Sequence, residues 1–133
     1  MKIPGHDHSI TITPNPGRVV VTFDGRAVAD TSRALTMQEA GHAPVHYIPR
    51  ADVDTSMLER TTHSTYCPYK GDAAYFSLRG PTRKAENAVW TYERPYDAVA
   101  TIEDHLAFYP NLVDAIDVEP ARPRRTAARK DSQ

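Results

Sequence analysis

Cysteine is almost absent from this chain: Cys67 is the only one in 133 residues. One thiol excludes an internal disulfide, and no Cys-x-x-Cys pair exists to build a four-thiolate zinc site. No apolar run approaches the roughly 20 residues of a membrane-spanning helix, and the N-terminal Met-Lys-Ile-Pro-Gly-His-Asp-His lacks the apolar stretch of a signal peptide. These absences lead us to expect a cytoplasmic protein with no membrane partner. Glycine is sparse too, with 6 residues and no Gly-x-Gly run. A Walker-type phosphate loop, a Gly-x-Ser-x-Gly elbow and a His-Glu-x-x-His helix are all missing, and position 73, six residues after Cys67, is alanine rather than arginine. The closely spaced Asp52 and Asp54 fall short of the carboxylate set that usually holds Mg²⁺ for phosphoryl chemistry. The familiar catalytic classes are therefore not indicated, and no cofactor is implied.

What is present is ordinary globular composition, 40% apolar and 25% charged, enough for one small domain stabilised by packing alone. The net charge of −1 is unevenly spread. Residues 119–133 hold Arg122, Arg124, Arg125, Arg129 and Lys130 against Glu119 and Asp131, a balance of +3, so the remaining chain carries −4. We expect a single domain over 1–118 and a Pro/Arg-rich basic tail over 119–133 that stays disordered for want of apolar residues. An acidic body of this kind argues against nucleic acid as the partner.

Apolar alternation predicts a mainly β domain, a small antiparallel barrel or sandwich with one or two short helices. Val19, Val21 and Phe23 share one face of a strand over 18–23, and Asp24-Gly25 supplies the pair of positive-φ residues of a tight hairpin turn. The return strand runs over 26–31, with Ala27 and Ala29 on one face and Val28 on the other. Residues 33–42 show no decisive period. Val45 to Ile48 reads as a strand that stops at Pro49, and Asp52 is placed to cap a short helix bearing Val53, Met57 and Leu58. Strands then follow over 73–78, 88–92 and 105–109, and one helical turn over 98–104.

Certain signatures stand in order along this frame: Asp7-His8, Ala29-Asp30, Tyr47-Ile48-Pro49-Arg50 with Asp52-Val53, Cys67-Pro68-Tyr69-Lys70-Gly71 with Ala73 and Tyr75, Trp90-Thr91-Tyr92 with Pro95, and Ala107-Phe108-Tyr109. Together they resemble the domain of unknown function 427 family, small bacterial and fungal proteins that carry a provisional nucleotidyltransferase-like label. The resemblance covers roughly residues 7 to 118 and implies a compact, mainly β fold; it implies no defined activity.

The Cys67–Gly71 segment is the most reactive-looking place in the chain. Pro68 biases Cys67 toward extended backbone and Gly71 permits a conformation other residues resist, so the two describe a sharp, fixed loop. A catalytic thiol needs a neighbouring cation or base, for which Lys70 and His63 are at hand; a free cysteine is equally at home as a small buried apolar residue. Lys70 offers a point charge for an anionic group, or else pairs with Asp72 or another carboxylate. Arg50 offers a guanidinium fork for an anion, or else links to Asp52. Tyr75, Trp90 and Tyr92 form an apolar wall, or else core. Three functional readings follow: a module binding an anionic small molecule through Arg50, Asp52, Lys70, Tyr75, Trp90 and Tyr92; an enzyme with Cys67 as nucleophile and Lys70 or His63 as base; and a homodimeric interaction module tethered by the basic tail. No metal site is expected.

Overall fold

A computed structural model of the chain describes residues 1–120. The basic tail expected from 119 lies, from residue 121 onward, outside the described residues. Ten strands are present among them: β1 (Ile10–Pro14), β2 (Arg18–Phe23), β3 (Arg26–Thr31), β4 (Leu35–Glu39), β5 (Val45–Pro49), β6 (Leu58–Cys67), β7 (Gly71–Arg79), β8 (Lys84–Thr91), β9 (His105–Phe108) and β10 (Ala115–Glu119). They form a seven-stranded sheet in the order β1-β4-β5-β9-β8-β7-β6 and a three-stranded sheet in the order β10-β2-β3, with every ladder antiparallel. The result is a mainly β, sandwich-like domain. The barrel alternative is corrected, because β1 and β6 are the edges of an open sheet.

The middle strands of the larger sheet are buried on both faces, and strand alternation divides their residues between two cores. Ile48, Phe76, Leu106 and Phe108 pack with Val19, Val21 and Phe23 between the sheets. Their strand neighbours Tyr47, Tyr75 and Ala107 belong to a second core with Met37, Tyr92, Val99 and Ile102. The last two come from the 3₁₀ segment Asp97–Ile102, which covers that face. At the first hairpin Asp24 and Gly25 have φ of 53° and 78°, the positive pair such a turn demands. The return strand departs from simple alternation: a register shift opposite Val21 and Thr22 leaves Val28 and Ala29 both buried and Ala27 exposed.

The helix expected after Pro49 is also corrected. Arg50–Asp52 and Thr55–Met57 are separate 3₁₀ turns, split because Val53 bridges to Ala29 with extended φ and ψ of −113° and 136°. Asp54, rather than Asp52, caps the second turn, its carboxylate accepting from the Ser56 N–H at 3.1 Å. Leu58 opens β6, a strand whose residues are largely exposed and polar and whose partner ladder is β7. No helix among the described residues is long and apolar enough to cross a membrane.

Candidate functional site

On the second core's face the sheet encloses a cavity of about 200 Å³. β4 contributes Met37 and Glu39, β5 contributes Val45 and Tyr47, and Tyr75, Trp90, Tyr92 and Tyr109 close the aromatic wall. Lys70 reaches in from the turn before β7, and the exposed His42 stands at the rim. That turn is tightly fixed. The Lys70 N–H donates to the Cys67 carbonyl at 3.2 Å, and the Lys70 carbonyl accepts from the Tyr96 N–H at 3.0 Å. Gly71 then takes φ of 109°, where a side chain would be strained.

The buried Lys70 ammonium donates to Glu39 Oε1 at 2.5 Å. His8 Nε2 holds the other oxygen of the same carboxylate at 2.7 Å, and its ring stacks on Tyr69 with centroids 4.1 Å apart. Burial acts to raise the Glu39 carboxyl, but the hydrogen bonds from Lys70 and His8 outweigh it and hold the group below its ordinary value. Glu39 is thus ionised at neutral pH. The phenols behave in the opposite sense. Burial pushes Tyr47 and Tyr92 well above the ordinary tyrosine value, and Tyr109, also hydrogen-bonded to Tyr75, up to about 12. These hydroxyls stay protonated and serve as neutral donors and acceptors. Trp90 Nε1–H donates to the Tyr47 hydroxyl at 3.3 Å, while the Tyr75 hydroxyl meets those of Tyr109 at 3.3 Å and Thr65 at 3.0 Å.

Of the residues singled out by sequence, Lys70, Tyr75, Trp90 and Tyr92 come together around this cavity. Cys67 is half-buried and packs against the second core, without lining the cavity. His63 is exposed on β6 and sets its ring edge-on to Tyr75, centroids 4.5 Å apart. Arg50 and Asp52 lie elsewhere and apart. Arg50 donates to Asp104 at 3.2 Å and covers the Phe76 ring at 5.8 Å. Asp52 accepts from the Thr31 hydroxyl at 2.6 Å and from Arg33, bonds that lower its carboxyl and tie the first 3₁₀ turn to β3. Lys70 pairs with Glu39, not with Asp72. Glu39, His42, Tyr47 and Tyr109 join the site without having been picked out for it. One signal for Glu39 was legible: Leu35, Met37 and Glu39 alternate along β4, so a carboxylate continues an apolar face. Among the described residues no three His, Cys, Asp or Glu side chains gather as a metal-binding group.

Fold and site define a small antiparallel β-sandwich protein with an aromatic cavity and a buried ion pair in its wall. Residues 11–119 match the family model described as Domain of unknown function (DUF427), and the chain belongs to that family. Comparison with curated proteins finds no match.

Proposed function

We propose that this protein is a small-molecule-binding module whose ligand sets an anionic group against Lys70. The observation that carries the reading is the buried ammonium in the cavity wall. An ammonium has three N–H donors and Glu39 Oε1 accepts one of them, so Lys70 keeps donors for a second anion in a place where partial desolvation strengthens each hydrogen bond. His8 supports the exchange, because it holds Glu39 from the far side while Lys70 turns to the ligand. The neutral phenols of Tyr47, Tyr92 and Tyr109 supply a wall that is apolar in its rings and hydrogen-bonding at its tips. The cavity, at about 200 Å³, is smaller than the roughly 300–1,000 Å³ of sites that enclose a drug-sized ligand, so the group held here is compact.

A thermal-shift panel of short carboxylates, inorganic phosphate and nucleotides tests the reading. A short anion raises the melting temperature of the wild type and not that of Lys70→Met. Equal shifts in both proteins, or no shift from any anion at saturation, overturn it.

A further inference from the structure

The large sheet splits beside this cavity. Between β5 and β9 only Ile48 pairs with Leu106 and Pro49 with His105. Continued in that register, Tyr47 would face Ala107, His46 would face Phe108 and Val45 would face Tyr109, but these pairs do not form. Instead β5 follows β4, with Tyr47 opposite Leu35 and Val45 opposite Met37. Meanwhile β9 follows β8, with Phe108 opposite Val89 and Ala107 opposite Trp90, and the Tyr109 N–H donates to the Ala88 carbonyl at 3.0 Å. The two halves of the sheet diverge, and a cavity lies on each face of the gap. Tyr47 and Tyr109 look onto the polar one. The alternate residues His46 and Phe108 look onto a second cavity, of about 260 Å³, running between the two sheets to Ile116 and Val118. Val45 and Trp90 line both.

We infer that the two cavities form one site through the sheet, for a single-chain amphiphile with an anionic head: the head group at Lys70, the apolar chain passing Trp90 into the space between the sheets. The inference rests on the proposed anion site and adds the ligand class. Its logic is the polarity of the two walls. The first holds Lys70, Glu39 and four tyrosines; the second is built from Val19, Val21, Ile48, Phe108, Ile116 and similar side chains. A compact anion uses only the first, whereas an alkyl chain withdraws its methylenes from water in the second. Trp90, half-buried and donating to Tyr47, is the partition that must yield as the chain enters.

Trp90 is the only tryptophan in the sequence, so its fluorescence reports the partition directly. The experiment titrates the full chain with straight-chain carboxylates from acetate to dodecanoate, each below its micelle concentration, and with the matching alcohols. Affinity is expected to rise roughly fourfold per added methylene until the inter-sheet cavity is filled, with a progressive change in Trp90 emission and with each alcohol binding more weakly than its carboxylate. Ile116→Phe, which narrows the second cavity and leaves Trp90 the only tryptophan, is expected to flatten the chain-length dependence. If acetate and propionate bind but longer chains gain nothing, the passage is overturned while the anion site stands. If alcohols bind as tightly as carboxylates, the anionic head is overturned, and if no member binds, the amphiphile falls while the anion site stands only if phosphate or a nucleotide raises the melting temperature of the wild type.

Discussion

Lys70 Nζ lies 2.5 Å from Glu39 Oε1, although β4, which ends at Glu39, and β7, which starts after Lys70, stand four positions apart in the sheet order. Four strand spacings across a flat sheet span about 19 Å. The ion pair therefore spans a strongly curled sheet, joining by side chains what no backbone ladder closes. The N-terminal arm reinforces the same junction, its His8 on Glu39 and its Lys2 N–H on the Pro68 carbonyl at 2.6 Å.

Removing Lys70 should consequently loosen the cavity as well as strip it of its cation. In Lys70→Met the Glu39 carboxylate keeps only His8, and the expected loss of stability is about 1–3 kcal/mol, the range for a partly buried polar group left short of a partner. Pairing the change with Glu39→Gln removes both charges together. Urea unfolding of the two single variants and the double variant measures the coupling; strict additivity of the two losses would show that the pair contributes nothing as a pair.

Because the folded state holds Glu39 below its ordinary value of 4.5, its contribution to stability has a definite sign with pH. Above that value both states are ionised and the contribution is complete. As pH falls below about 4.5 the unfolded chain takes up the proton first, so stability declines until the folded carboxyl is protonated as well. Other depressed carboxyls, such as those of Asp24, Asp52 and Asp114, titrate in the same acid window. The difference between wild type and Glu39→Gln isolates the one of interest: the wild type should lose stability more steeply on acidification, and parallel profiles would refute the assignment.

Gly71 sets where Lys70 points. At φ of 109° an alanine would be strained, and its Cβ would stand 3.3 Å from the Arg94 carbonyl oxygen. Gly71→Ala should cost about 1–3 kcal/mol. Gly41→Ala, whose added Cβ meets open space at a φ outside the positive range, should be close to neutral. Thermal or urea unfolding compares them, and similar losses in the two variants would count against a special role for Gly71.

Much of this architecture could be read from residues that act on their neighbours. The Asp24-Gly25 turn, the alternation of Val19, Val21 and Phe23, and the shared face of Trp90 and Tyr92 are local, and each has its physical cause within a few residues. β6 was illegible because its exposed Thr, His and Ser side chains show no apolar period; its place comes from the ladder to β7. The site was half legible for a related reason. Lys70, Tyr75, Trp90 and Tyr92 drew notice by their chemistry, whereas Glu39 is separated from Lys70 by 31 residues and becomes its partner only through the curl of the sheet. Arg50 and Asp52 looked like a pair along the chain, yet from one 3₁₀ turn Arg50 goes to Asp104 and Asp52 to Thr31 and Arg33.

The contact between Trp90 and Tyr47 offers a probe of the cavity wall that leaves its charges untouched. Tyr47 is buried, and its hydroxyl accepts from Trp90 Nε1–H at 3.3 Å. Tyr47→Phe keeps the ring and its edge-on packing against the indole, with centroids 6.4 Å apart, and deletes only the acceptor. The expected cost is about 0.5–1.5 kcal/mol, the net value of one such hydrogen bond. The emission of the lone tryptophan should move at the same time, because its N–H must seek water or stay unpaired. Tyr109→Phe serves as the comparison. Its ring also rests against Trp90, centroids 4.5 Å apart, but its hydroxyl bonds to Tyr75, so a similar stability cost should leave the emission nearly unchanged. An emission shift of equal size in both variants would mean that Trp90 responds to general loosening of the wall, and the hydrogen bond to Tyr47 would lose its standing as the contact that fixes the indole.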